Sequence, residues 1–218
     1  MHTQKAYKGL PMEGPIATWY TKNTRRDTRR FEAVARAIVA QLPPGARVLE
    51  VAPGPGYLAI ELAKSGCHVT AVDISRSFVR IARENAAHAG VAVDVQQGNA
   101  SALPLADGSF DVVVCMAAFK NFTDPIGALN EMHRVLVPGG RAAIYDLRKD
   151  ATRDEIDREV RQMRLSTANA ALTRFIFRFG LLKAAYTRDD LERMARASRF
   201  GRCEIVPDGI GLQVRLTR

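Results

Sequence analysis

The chain has 218 residues, 47% of them hydrophobic and 25% charged, with a net charge of +9. That length and balance fit one globular domain that buries its own core without disulfides or metals. No apolar run reaches the ~18 residues of a membrane span, and the opening Met1-His2-Thr3-Gln4-Lys5 lacks the apolar stretch of a secretory leader. Three cysteines, Cys67, Cys115 and Cys203, have no metal-ligand spacing, so a reducing, cytoplasmic setting and no metal are expected. The basic residues are scattered among acids, with concentrations at 22–30 and 153–193. Nucleic acid, an anionic membrane surface or an acidic small molecule stay open as charge-driven partners, as does mere solubility.

Residues 1–30 are predicted to be a cap segment, in which Gly14-Pro15-Ile16-Ala17-Thr18-Trp19-Tyr20 precedes the first helix. That helix carries Phe31, Val34, Ala35, Ile38, Val39 and Leu42 at helical spacing and stops at Pro43-Pro44-Gly45. A strand is predicted over 47–51, a helix over 57–64, a second strand over 68–73, and a helix carrying Phe78, Ile81, Ala82 and Asn85. Strands follow at 92–96 and 110–116, then a helix at 128–136, a tight turn at Pro138-Gly139-Gly140 and a strand at 141–147. The stretch 152–186 breaks the alternation and reads as a helical insertion before a helix at 187–198. Two last strands, 202–206 and 212–216, are separated by a short turn, which predicts an antiparallel pair. The expected fold is therefore α/β: a doubly wound, seven-stranded, mostly parallel, Rossmann-like sheet in a single domain, closed by an antiparallel C-terminal strand.

The most informative stretch is Val48-Leu49-Glu50-Val51-Ala52-Pro53-Gly54-Pro55-Gly56. A buried strand entering a glycine turn and then a helix lets backbone approach a ligand closely. Asp73 ends the second strand, where a carboxylate can accept both ribose hydroxyls. Gly54-Pro55-Gly56-Tyr57-Leu58-Ala59 also satisfies a relaxed dinucleotide fingerprint. Glu50 argues against a pyrophosphate there and for a cationic ligand. Asn99, after the third strand, places an amide where an adenine amino group can be read.

In these residues the sequence resembles the class I S-adenosylmethionine (SAM)-dependent methyltransferases, from about residue 31 to the C-terminus. The resemblance implies SAM as cofactor. It matches Glu50, Gly54 and Gly56 to the family's glycine loop, with Ala52 replacing the first glycine. It also implies Asp73 as the ribose acid, Ile74 against the adenine, and Asn99 with the Ala100 backbone reading the adenine edge. Phe110-Asp111-Val112-Val113-Val114 and Arg134-Val135-Leu136-Val137-Pro138-Gly139-Gly140 are further family signatures. Tyr20 is expected to touch the SAM carboxylate end, or to serve only as a hydrophobic staple. Met116, ending the fourth strand, is counted with the cofactor residues.

Methyl transfer needs alignment more than a nucleophile. Ala118-Phe119-Lys120-Asn121-Phe122-Thr123-Asp124 follows the fourth strand and is similar to the R-N-x-T-D run of quinone-biosynthesis C-methyltransferases, with Lys120 in the arginine's place. Lys120 and Asn121 are the catalytic candidates, Lys120 holding an anionic acceptor or acting with a lowered pKa. The other reading has Lys120 in solvent and Asn121 capping the turn. Phe119, Phe175 and Phe179 are expected to meet the acceptor. Ala168, Leu172, Phe175, Ile176 and Phe179 recur at helical spacing, with Arg174, Arg178 and Lys183 beside them. This suits a core helix, a lid over an apolar acceptor, or a basic helix on an anionic membrane.

A small, aromatic or lipophilic acceptor is the expected substrate, and a homodimer is an open expectation. A nucleic-acid methyltransferase would show salt-sensitive RNA or DNA binding; a SAM-binding protein without transfer activity would never yield S-adenosylhomocysteine.

Overall fold

The computed structural model describes residues 7–8, 11–25, 28–163 and 167–218, and leaves the side chains of Ala168, Ile176 and Phe179 outside the description. Seven strands form one sheet in the order β3-β2-β1-β4-β5-β7-β6. They are β1 (Arg47–Val51), β2 (His68–Asp73), β3 (Val93–Gln97), β4 (Phe110–Met116), β5 (Leu136–Leu147), β6 (Glu204–Asp208) and β7 (Gly211–Thr217). β1 to β5 pair in parallel, and β7 runs antiparallel to both β5 and β6. The strand order reverses between β1 and β4, so the crevice at their C-terminal ends is the ligand position of such a sheet.

Two layers of helices cover the sheet because its strands alternate between two apolar faces. Leu49, Val51, Val113 and Cys115 meet α5 (Pro125–Val135) and α9 (Arg188–Ala197) through Leu129, Met132, Leu191 and Ala195. Val48, Val112, Val114 and Met116 meet the opposite layer. That layer is α2 (Thr28–Val39), α3 (Tyr57–Lys64) and α4 (Arg76–His88), joined through Ile38, Leu58, Leu62, Val79 and Ala82. Asp124 caps α5 by accepting from the Gly127 amide at 2.8 Å, with Pro125 opening the helix. This starts α5 before the predicted 128–136. Thr187 and Asp190 form a capping box at α9.

Three expectations are corrected. The segment ahead of the predicted first helix is itself a helix, α1 (Gly14–Thr24), opened by Pro15 in its first turn. Ala17 is fully buried against Phe78 and Ile81 of α4, which supplies the packing that the segment's weak periodicity hides. Pro138-Gly139-Gly140 is not a turn ahead of the strand. It is an irregular stretch inside β5, where the register on β4 shifts and Gly139 and Gly140 pair with Arg218 instead. Gly139 adopts φ +77°, which its missing Cβ permits. The predicted strands 92–96 and 202–206 lie at 93–97 and 204–208.

The insertion consists of α6 (Arg153–Gln162), α7 (Thr167–Ile176), a π-helical turn (Phe177–Leu181) and α8 (Leu182–Ala184). It has a small core of its own, Ile156, Val160 and Leu182 against Ile210.

Candidate functional site

The turn after β1 carries the strain expected of a close backbone approach. Ala52 holds φ +57°, Gly54 +55° and Gly56 +80°. For an alanine the left-handed region costs about 1–2 kcal/mol, and the Ala52 amide is fixed there by donating to the Val72 carbonyl at 2.8 Å. Ala117, directly after β4, holds φ +59° and donates to the Tyr145 carbonyl at 2.7 Å. The two strands that flank the crevice thus both end in a left-handed alanine. At Gly56 a Cβ would sit 3.0 Å from the Ala82 Cβ, so the glycine also lets α3 approach α4.

Three acids stand at the C-terminal ends of strands. Glu50 is 2% exposed, and its Oε2 has no hydrogen-bond partner among the described residues. Burial, opposed by a hydrogen bond from the Ala59 amide and reinforced by Asp73, pushes its carboxyl up to about 8. Asp73 is 5% exposed and accepts from the Gly54 amide at 3.0 Å and the Ser75 amide at 2.9 Å. Burial outweighs these bonds and pushes it up to about 6. Asp146, near the end of β5, is likewise buried. A buried carboxyl group with one oxygen unpartnered, beside a strained glycine turn, is complementary to a ligand with positive charge. SAM, with its sulfonium and ammonium, is such a ligand. Glu50 and Asp73 are the residues that would hold it, and the exposed Ile74 offers an apolar surface next to Asp73.

Lys120 lies in a 3-10 turn, Phe119–Asn121, and does not point into solvent, which corrects that alternative. Its Nζ donates to Asp146 Oδ1 at 2.8 Å and to the Ala117 carbonyl at 2.7 Å. Its own amide donates to Asp146 Oδ2 at 2.9 Å, and the Leu147 amide donates to Oδ1 at 2.8 Å. Asp146 therefore clamps the turn after β4 to the end of β5. Asn121 presents its carbonyl to the Lys8 amide at 2.7 Å.

The cap segment closes over this end of the sheet. Glu13 accepts from the Arg76 and Ser77 amides at 2.9 and 3.0 Å, and the Met12 carbonyl accepts from the Ser75 hydroxyl at 2.6 Å. Tyr20 packs edge-on against Phe78 at 5.8 Å, and its ring edge would be 3.9 Å from a Cβ at Gly54. Tyr7 bridges to Phe122. Burial first, then the Asp73 and Asp146 carboxylates, holds its phenol above the usual range. Lys8 donates to the Tyr186 hydroxyl at 2.8 Å and stands 5.1 Å from the centre of that ring.

The remaining expected residues fall in different surroundings. Asn99 Oδ1 accepts from the Ser101 amide at 3.1 Å, shaping the turn after β3, and Ala100 packs partly against the core. Met116 is buried in the α2–α4 layer. Phe119 is 1% exposed and packs on Phe122 and Tyr186, at 5.5 and 6.0 Å between centres, so its ring lies beneath the surface that an acceptor would touch. Phe175 is exposed on α7. The Phe179 side chain lies outside the described residues. Sequence reasoning missed Tyr7, Lys8, Glu13, Asp146 and Tyr186. Asp146 alone carried a signal, as an acid near the C-terminal end of a predicted central strand.

Residues 49–144 match the family described as "Methyltransferase domain". The demethylmenaquinone methyltransferase of Thermus thermophilus is 39% identical over 102 residues, 46% of this chain and 46% of that protein. The ubiquinone/menaquinone biosynthesis C-methyltransferase of Geotalea uraniireducens is 36% identical over 156 residues, covering 66% of this chain and 65% of that protein. The chain thus spans about half the length of the first of these relatives and about two thirds of the second. Among solved structures, a SAM-dependent methyltransferase from Aquifex aeolicus superposes with a TM-score of 0.66 at 18% identity, covering 87% of this chain and 97% of that one.

Proposed function

We propose that the chain is a class I SAM-dependent methyltransferase that acts on a small acceptor of aromatic or lipophilic character. The observation that carries the reading is the buried Glu50 carboxyl, its Oε2 without a hydrogen-bond partner among the described residues, beside Asp73 and a left-handed glycine turn, at the point where the strand order reverses. SAM supplies an activated methyl group that leaves its sulfur as the acceptor attacks. The protein's part is to align the two partners and exclude water, and alignment is worth effective molarities of about 10⁵–10⁸ M.

Tyr7, Tyr186 and Lys8 gather at the C-terminal ends of β4 and β5, next to the Lys120–Asp146 pair. Aromatic rings and two ammonium groups suit a planar acceptor that bears an anionic oxygen. Lys120 spends two of its three N–H donors on Ala117 and Asp146 and keeps one for that oxygen. Asn121 follows Lys120 in the same turn, and its side-chain amide is proposed as a second donor to that oxygen. The names of the quinone-biosynthesis relatives support this class of acceptor.

The test is incubation with methyl-labelled SAM and an extract of the source cells, fractionated afterwards. Label in the small-molecule or lipid fraction is expected, and label confined to nucleic acid or protein would overturn the acceptor class. Lys120→Ala is expected to lose turnover while SAM affinity is kept, with Lys120→Arg recovering part of it. An unchanged rate in Lys120→Ala would remove the role.

A further inference from the structure

Leu58 and Leu62 of α3 belong to the core beneath the helix layer. Tyr57, Ile60, Glu61 and Lys64 share another face of the same helix, at i, i+3, i+4 and i+7, and line an open cavity of about 430 Å³. Its other walls are Arg25 at the end of α1, Phe31 in the first turn of α2, and Asn85 and His88 in the last turn of α4. Small-molecule sites span about 300–1,000 Å³, so the cavity is large enough for one. None of these residues belongs to the crevice at the strand reversal.

The walls specify what fits. Phe31 and Tyr57 stand 5.6 Å apart between ring centres and contribute aromatic surface, with Ile60 beside them. Glu61 is taken up by Lys64 at 2.7 Å, whereas among the described residues no acid pairs with Arg25. The Arg25 guanidinium is close enough to the Tyr57 phenol to oppose the rise in pKa that burial imposes on it. The surplus charge is therefore positive and lies next to an aromatic wall. A planar ring that bears a carboxylate matches both features.

Two of the lining residues also hold the glycine turn. Asn85 Nδ2 donates to the Pro55 carbonyl, between Gly54 and Gly56, at 2.9 Å. Tyr57 directly follows Gly56, and its hydroxyl donates to the Thr21 carbonyl at 3.1 Å, next to Tyr20 on α1.

We propose that this cavity is a second binding site, for a small planar aromatic carboxylate, and that its occupancy is coupled to SAM binding through Asn85 and Tyr57. The ring lies against Phe31 and Tyr57 while Arg25 takes the carboxylate. A ligand packed there restrains both residues that hold the left-handed turn, so part of the ordering that SAM requires is already met. The two ligands favour each other by the same factor in both directions. The site stands apart from the methyl-transfer reading; only the coupling rests on SAM being the ligand of the turn.

The experiment is titration calorimetry of the purified chain with 2-naphthoate, alone and at saturating S-adenosylhomocysteine. Binding is expected, tightened about fivefold or more by S-adenosylhomocysteine. Arg25→Glu should weaken it by about tenfold or more. Ala89→Trp, which adds an indole at the wall of the cavity, should block it. Both positions are exposed, so both variants should keep the wild-type melting temperature. Lys120→Ala, in the crevice, should leave it unchanged, and Asn85→Ala should reduce the coupling. Absence of binding at millimolar 2-naphthoate overturns the proposal. So does binding that Arg25→Glu and Ala89→Trp keep and Lys120→Ala loses, which would put the probe in the acceptor crevice. Binding that responds to Arg25→Glu but not to S-adenosylhomocysteine overturns the coupling. Binding of 2-naphthoate as expected, by a chain that binds neither SAM nor S-adenosylhomocysteine, would support the site and remove the SAM reading instead.

Discussion

Burying a carboxylate with one of its oxygens unpartnered is costly, and Glu50 bears that cost at the centre of the sheet. Its carboxyl is raised from 4.5 to about 8 in the folded chain, so between those values the folded state holds a proton that the unfolded state has lost. Stability from this group is full below about pH 4.5 and is lost as pH rises towards 8. Denaturant titrations of the ligand-free protein across that window should show falling stability, and Glu50→Gln should flatten the slope. A cationic ligand favours the ionised form, so SAM binding near neutral pH should release a proton. Calorimetry in buffers of different ionisation enthalpy reads this directly. Ala52 makes a separate prediction. Its left-handed backbone means that Ala52→Gly should raise stability by up to about 1 kcal/mol in urea unfolding. No gain would show that the turn is not strained as its φ of +57° implies.

Two elements set the geometry of the crevice. The 3-10 turn after β4 is tied to β5 through the buried Lys120–Asp146 pair, both side chains being under 10% exposed. Asp146→Asn leaves the ammonium without its counter-charge and should cost about 3–5 kcal/mol. Lys120→Met with Asp146→Asn should cost less, because no charge is stranded and the amide oxygen still accepts from one of the two backbone amides that Asp146 holds. Urea unfolding of the two variants checks this, and an Asp146→Asn protein as stable as the wild type would contradict it. α1 is the second element, held to the start of α4 by Glu13. Glu13→Ala removes that cap and should cost about 1 kcal/mol. It should also weaken SAM binding, since Tyr20 rides on α1 above Gly54; titration calorimetry reads the change. These two elements were the least legible in the sequence. A 3-10 turn has no periodicity to detect, and α1 is held by one fully buried alanine and a carboxylate reaching across more than sixty positions.

At the scale of the molecule, the alternation of β-branched runs and amphipathic helices was readable because a parallel sheet covered on both faces needs continuous apolar strands. The positions of Glu50, Gly54, Gly56 and Asp73 followed from that reading, since a strand end and its turn are local in sequence. What joins the far ends of the chain was not readable. Tyr7 and Lys8 reach Phe122, Asn121 and Tyr186, and Arg218 pairs with Gly139 and Gly140, through contacts that no local pattern encodes. The insertion fell between three readings because an amphipathic pattern states that a face is apolar without stating what covers it.

The central claim is that the acids ending β1 and β2 hold SAM in the crevice at the strand reversal. Titration calorimetry of SAM against the wild type, Glu50→Gln and Asp73→Asn tests it directly. The account predicts one-to-one binding by the wild type and an affinity loss of about tenfold or more in each folded variant, equivalent to about 1.4 kcal/mol. Wild-type affinity in both variants, or binding of NADH in preference to SAM, would contradict it.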